Sequence, residues 1–189
     1  MNTTAIILIA AAILLALYII SMVNNLIRRK NETENIFGTV DAILMKRSGL
    51  IPNLIATVQN YMIHEKETLT QLTELRSKAV NPDIGTDEKI QLHNKINQAL
   101  GGIMVAVEAY PDLKASRNFL DLQASLNEVE EQLSASRRAY NGAVTEYNNA
   151  VEVFPGNLVA GMMGYKRKAV LEATEAERKN VNVRELFKS

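Results

Sequence analysis

Residues 5–30 read AIILIAAAILLALYIISMVNNLIRRK, and the interpretation of this stretch governs that of the whole chain. No charged side chain precedes Arg28, and three basic residues then follow in a row. A helix rises about 1.5 Å per residue, so roughly 20 apolar residues cross a hydrocarbon core of about 30 Å. Residues 5–27 meet that requirement. Ala5, Ile9, Ile13, Leu17 and Ile20 lie along the predicted transmembrane anchor, and Arg28, Arg29 and Lys30 stop it. A cleaved secretory signal needs a basic start, a shorter apolar core and a small-x-small cleavage site. Met1-Asn2-Thr3-Thr4 has no basic residue, and Ser21-Met22-Val23 is a poor cleavage site. Because Lys and Arg are retained on the cytoplasmic side, the basic cluster after the anchor predicts a single-pass inner-membrane protein with its N-terminus outside and its body in the cytoplasm.

Composition narrows what that body does. The chain has 189 residues with 21 basic and 21 acidic side chains, so no net field draws it onto nucleic acid, and no nucleic-acid partner is expected. It has no cysteine, which excludes disulfides, thiolate zinc sites and iron–sulfur ligation. Trp is absent, aromatics are few and no sustained period-2 alternation occurs, so a sheet is disfavoured.

Helical periodicity dominates instead. From Ile36 the residues Val40, Ile43, Leu44, Leu50, Leu54, Val58, Tyr61, Met62, Leu69, Leu72 and Ala79 step by threes and fours. This predicts one long helix or two in tandem, with a kink at Gly49 to Pro52, where Pro52 cannot donate to the Ser48 carbonyl. Asn81-Pro82-Asp83-Ile84-Gly85 predicts a turn. A second helix is expected from Thr86 as N-cap to about Tyr110, with a stripe through Ile90, His93, Ile96, Leu100, Ile103 and Val107. Gly101-Gly102 within it permits close helix approach or marks a soft spot. A third helix carries Phe119, Leu122, Leu126, Val129, Leu133, Tyr140, Val144, Tyr147, Val151 and Phe154 at coiled-coil-like spacing until Pro155-Gly156 stops it. The expected fold is all-α: an N-terminal transmembrane helix followed by an antiparallel bundle of long helices. The expected organisation is a short external N-terminus (1–4), the anchor (5–27), a helical bundle (28–157), and an apolar segment with a polar basic tail (158–189).

Helix length sets a further expectation. At about 1.5 Å per residue, the three body helices span roughly 70, 37 and 60 Å and do not pair end to end. In an up-down-up order two stripes then lack cover: Ile36, Val40, Ile43 and Leu44 near the membrane, and Tyr140, Val144, Tyr147 and Val151 on the third helix. Either the kink brings them together or a neighbouring subunit covers them. Self-association through these residues, giving a homo-oligomer on the bilayer, is the favoured expectation.

Chemistry is sparse. His64-Glu65-Lys66-Glu67-Thr68 begins like a zinc-binding HExxH helix, but Thr68 stands where the second ligand belongs. His93 lies on an apolar stripe and reads as a core or boundary histidine. No nucleophile elbow, dinucleotide fingerprint or phosphate loop occurs. Neither histidine has a Glu three residues before it, as a di-iron bundle requires. The expectation is a non-enzyme with no catalytic, metal or cofactor site.

Several blocks resemble one family in fixed order. They include residues 46–58 (KRSGLIPNLIATV) with Gly49, Leu50, Pro52, Asn53 and Leu54, and residues 64–69 (HEKETL) with His64 and Glu65. Residues 108–115 (EAYPDLKA), with Tyr110 and Pro111, residues 137–141 (RRAYN) with Tyr147-Asn148, and residues 154–161 (FPGNLVAG), with Pro155 and Asn157, complete the set. Together the blocks are similar to the LemA family over about residues 20–175. The resemblance implies a bacterial inner-membrane protein with one N-terminal span, a cytoplasmic helical bundle and no known enzymatic activity. By analogy with a magnetosome-membrane protein of similar sequence, it also implies a part in organising or bending membranes.

Read locally, Pro52-Asn53 is a kink with a side-chain cap, and Tyr110-Pro111-Asp112 is turn chemistry. Pro155-Gly156-Asn157 is a helix stop that positions Leu158, Val159, Met162 and Met163, a Met-rich surface suited to a partner. The tail after it holds seven basic against four acidic residues, a composition suited to anionic lipid or to solvent. Two functions follow: a self-assembling protein that organises or remodels the membrane, or a monomeric adaptor that presents its bundle to a membrane protease, transporter or signalling partner.

Overall fold

The computed structural model describes residues 3–81 and 83–171, apart from the side chains of Thr86 and Asp87. Helix α1 is Thr3–Val58, α2 Lys66–Ala79, α3 Thr86–Ala106, α4 Pro111–Lys114, α5 Arg117–Glu152 and α6 Gly156–Met162, with a single 3-10 turn at Val107–Ala109 between α3 and α4. No strand occurs among the described residues, and the fold is the expected all-α bundle behind a long N-terminal apolar helix.

The chain forms two compact units, both of which take part of α1 and part of α5. Asp41–Leu133 is one of them, and four helices run up, down, up and down within it. Side-chain pairs fix the directions. Arg76 of α2 reaches back to Ser48 of α1, Lys89 at the start of α3 meets Asp41, and Tyr110 after α3 meets Glu65 before α2. Lys46 and Glu128 pair α1 with α5. The core is Ile51, Leu54, Val58, Met62, Leu72, Ile96, Ile103, Leu113 and Phe119, all essentially inaccessible to solvent. Each such side chain contributes about 1.5–3 kcal/mol by leaving water, which is what holds short α2 in place.

The sequence reading carries helix past a kink at Gly49 to Pro52 as far as Ala79, and it misses a reversal. Helix α1 continues through Gly49, Leu50 and Pro52 to Val58, and the chain turns at 59–65. Burial explains the placement. Ile51, Leu54 and Val58 hold the first helix against the core through the Pro52 turn, whereas Gln59, Asn60 and Tyr61 are exposed and have no such restraint. The second turn falls as expected. Helix α2 ends at Ala79, and the Asp83 amide donates to Asn81 Oδ1 at 3.1 Å in an Asx turn. Gly85, in extended conformation, precedes α3, so Thr86 is its first helical residue rather than its cap. Gly101 and Gly102 are exposed, and a methyl group on either would meet nothing, so they do not mark a close helix approach.

The other unit takes in α1 up to Val40 and Ser134–Leu171. Here α1 and α5 are antiparallel: Arg29 pairs with Glu146, and the Phe37 and Tyr140 rings meet edge-on with centroids 5.7 Å apart. The two stripes expected to need a neighbouring subunit are covered within one chain. Val40, Leu44, Tyr140, Val144, Tyr147 and Val151 are buried, and Ile36 and Ile43 are half-buried. The unforeseen reversal at 59–65 is the reason. It adds one change of direction, so the last long helix returns antiparallel to α1 instead of overrunning it.

Candidate functional site

The feature with no counterpart in a water-soluble bundle is the start of α1. Ile6, Ile7, Leu8, Ile9, Ile13, Leu17 and Ile20 are all exposed, and the apolar window of the helix has no part buried in the chain. Ala5 is half-buried and begins the same surface. The first fully buried side chain is Leu26, which packs with Tyr147, Val151 and Ala160. The span and the protein body therefore meet at Leu26, and a polar collar surrounds that level.

The collar is built from α1, α5 and the segment after α6. Arg29 holds both Asn25 Oδ1, at 3.0 Å, and the Glu146 carboxylate. Lys30 pairs with Glu34 at 3.3 Å, and its ammonium lies 5.9 Å from the Tyr165 ring centroid. Lys168 donates to Thr33 Oγ at 2.6 Å, and its ammonium lies 5.3 Å from the Tyr147 ring centroid. Although burial alone raises the Glu34 carboxyl, its hydrogen bond to Lys30 and the charge of Lys168 bring it below the usual carboxylate range. Burial, aided by neighbouring Tyr165, pushes the Tyr147 phenol up.

The chain after α6 lies along α5 as an extended strap, a feature the sequence reading placed in a polar tail. The Asn148 side chain reads Lys168 twice, donating to its carbonyl at 2.9 Å and accepting from its amide at 2.9 Å. Asn141, two helical turns earlier, does the same to Leu171 at 2.8 Å in each direction. Tyr147 Oη donates to the Lys166 carbonyl at 3.1 Å. Two carboxamides thus replace the paired bonds a neighbouring strand would supply, and a seven-residue spacing on α5 sets them on one face. Residues beyond 171, including most of the basic tail, lie outside the described residues.

The remaining sequence-singled residues sort by structural role. Leu54 is core, while Gly49, Pro52 and Asn53 are exposed and Leu50 is half-buried. The Ser48 carbonyl that Pro52 leaves without its helical donor is satisfied by Arg76 Nε at 3.0 Å, rather than by Asn53 next to the break. His64 is exposed in the 59–65 turn, and Glu65 accepts a 2.9 Å hydrogen bond from Tyr110 Oη, which raises the pKa of that phenol. The HEKET block therefore straddles a turn and a helix start instead of forming one helical face. Pro111 opens α4. Gly156 sits so close to α5 that a methyl group there would collide with the Ala150 carbonyl, which explains glycine after Pro155; Asn157 is exposed on α6.

Of two buried polar features, Arg47 escaped the sequence reading, while His93 lies in the core as its place on the apolar stripe suggests. Arg47 is buried, donates to Asn97 Oδ1 and pairs with Glu130 at 3.2 Å. His93 is 3 % exposed, and neither ring nitrogen has a hydrogen-bond partner among the described residues. Burial, reinforced by the positive charge of Arg47, lowers its pKa to about 4, with Asp41 opposing. No group of three potential metal-ligating side chains occurs among the described residues.

A Protein LemA from Metamycoplasma hominis is 31 % identical over 163 residues, covering 86 % of this chain and 74 % of that protein. Magnetosome protein MamQ 2 of Paramagnetospirillum magneticum is 22 % identical over 169 residues, covering 76 % of this chain and 62 % of that protein. Magnetosome protein MamQ of Magnetospirillum gryphiswaldense is 21 % identical over 152 residues, covering 67 % and 56 % respectively. None of these names denotes a catalyst. An unpartnered apolar helix of membrane-spanning length makes this a membrane protein. With residues 36–184 matching the family's model as well, the chain belongs to the LemA family.

Proposed function

We propose that this protein is a non-enzymatic, single-pass structural component of the bacterial inner membrane, N-terminus outside and bundle in the cytoplasm, that assembles with its own copies to organise or remodel the bilayer. The observation carrying this reading is the unpartnered apolar surface from Ile6 to Ile20 on a helix that continues without interruption into the body. The likeness to two magnetosome proteins supports a membrane-organising role. Because the Ile36 to Leu44 and Tyr140 to Val151 stripes are occupied within one chain, assembly falls to the lipid-facing side of α1 and to the outer surfaces of the bundle. The test is the mass of the full-length protein in mild detergent over a wide concentration range. A discrete oligomer supports assembly, and a monomer throughout refutes it.

The adaptor reading is favoured by a separate observation. Tyr61 and Ile63 are exposed at the α1–α2 reversal, beside a crevice lined by Ile55, Met62 and Leu69. Apolar side chains around a shallow crevice suit a partner helix. Crosslinking from Ile63 in cells distinguishes the readings: an adaptor yields one heterologous adduct, and a scaffold yields adducts with its own copies.

A further inference from the structure

The corner between α5 and α6 carries large apolar side chains left uncovered by the described residues. Val153, Phe154, Leu158 and Met162 are 61, 74, 60 and 90 % exposed. Leu158 and Met162 are four residues apart on α6 and share a face, while Ala160 on the opposite side is packed onto Leu26, Tyr147 and Val151. Single exposed apolar residues need no explanation, but four gathered at one corner form a patch.

The position of the patch identifies what covers it. Val153 and Pro155 line the end of a crevice that runs from Arg29 and Glu146 at the collar to Met22 and Tyr18 of α1. Met22 lies seven residues before Arg29, or roughly 10 Å along the helix at about 1.5 Å per residue. The corner therefore stands on the bilayer side of Arg28, Arg29 and Lys30, beside residues of the span itself. Amphipathic elements that lie in a membrane interface bury their apolar face about 5–10 Å below the headgroups, which matches this offset.

We infer that the α5–α6 corner is a second, non-spanning membrane contact, in which Phe154, Leu158 and Met162 enter the same leaflet from which α1 emerges. Lys166 and Arg167, exposed four and five residues after the end of α6, bring positive charge toward the lipid phosphates, with Arg167 also paired to Glu152 at 3.4 Å. A lone span leaves the body free to swivel about one helix. Two contacts fix the α5 end against the bilayer, with the Tyr147 and Tyr165 rings and the strap as the wedge between them. This inference rests on α1 spanning the bilayer.

The chain has no Trp, so single Trp probes read their own surroundings. The full-length variants Phe154→Trp, Tyr18→Trp and Leu120→Trp are reconstituted in vesicles of phosphatidylcholine and phosphatidylglycerol. Their emission maxima are compared, with quenching by iodide and by brominated acyl chains. Leu120, exposed on α5 within the Asp41–Leu133 unit, is the aqueous reference. The expected result is blue-shifted emission from Phe154→Trp, quenching by lipid brominated near the headgroup, and iodide quenching severalfold below that of Leu120→Trp. Met162→Trp gives the same readout from α6 if the change beside Pro155 disturbs the corner. Lipid quenching of Tyr18→Trp with a water-like Phe154→Trp and Met162→Trp overturns the inference while leaving the span intact. Water-like behaviour of Tyr18→Trp overturns the span as well. Blue-shifted corner probes that brominated lipid does not quench are covered by protein, and that too overturns the inference.

Discussion

Arg76 Nε donates a 3.0 Å hydrogen bond to the carbonyl of Ser48, the group that Pro52 leaves without its helical donor. A helix that would otherwise be weakened at Pro52 is thus held by a side chain from α2, and the same bond fixes α2 against α1. Removing the donor from a half-buried site leaves that carbonyl unsatisfied, so Arg76→Leu should cost about 1–3 kcal/mol. Pro52→Ala restores a backbone N–H four residues after Ser48. The double variant should therefore lose less than the sum of the single changes, a coupling read by denaturant unfolding of the four combinations. Strict additivity would refute the compensation.

The Lys168 and Leu171 amides each have one named acceptor, Asn148 and Asn141. Asn148→Ala should speed exchange at the Lys168 amide and Asn141→Ala at the Leu171 amide, each costing about 1 kcal/mol per lost bond. Asn148→Asp keeps the acceptor and loses the donor, so the Lys168 amide should remain protected. Equal loss of protection along the strap in every variant would show that the asparagines do not act locally.

His93 supplies a pH dependence whose sign follows from its burial. Its pKa is about 4 in the folded state against an ordinary 6.5, so the unfolded chain takes up the proton first as pH falls. Stability from neutral His93 is complete above pH 6.5, declines between 6.5 and 4, and levels off below. The decline amounts to about 3 kcal/mol at about 1.4 kcal/mol per unit. His93→Leu should flatten that part of the profile and leave the carboxylate-driven loss at lower pH. An unchanged slope between pH 6.5 and 4 would contradict a buried neutral imidazole.

Gly156→Ala places a methyl group against the Ala150 carbonyl. Crowding of that kind costs about 1–3 kcal/mol, and here the strain falls on the α5–α6 corner. Limited proteolysis after residue 156 should accelerate while the Asp41–Leu133 unit keeps its protection. Resistance equal to wild type would mean that α6 does not depend on this close approach.

The sequence was informative where the cause was local. The apolar run to Ile27 with its basic stop, the Asn81 turn and the end of α5 near Pro155-Gly156 were all legible, because each depends on residues adjacent in the chain. The 59–65 reversal was not, since Gln59, Asn60 and Tyr61 carry no strong turn signal and the break is set by the burial of Ile51, Leu54 and Val58. Pro52 gave the opposite error: its defect is local, and its remedy, Arg76, is remote. The strap was invisible for the same reason, because Asn141 and Asn148 look like solvated helix surface until residues 168 and 171 lie beside them. A signal was present in their seven-residue spacing, the Asn141 and Asn148 interval that keeps both on one face of α5.

The central claim, a single span with the bundle on the cytoplasmic side, is tested most directly by labelling. The chain has no cysteine, so Asn2→Cys and Asn60→Cys each create a unique thiol. Intact cells are treated with a membrane-impermeant maleimide before and after permeabilisation. Asn2→Cys should label in intact cells, and Asn60→Cys only after permeabilisation. Labelling of Asn60→Cys in intact cells, with Asn2→Cys protected, would reverse the orientation, and equal labelling of both in intact cells would contradict a span between them.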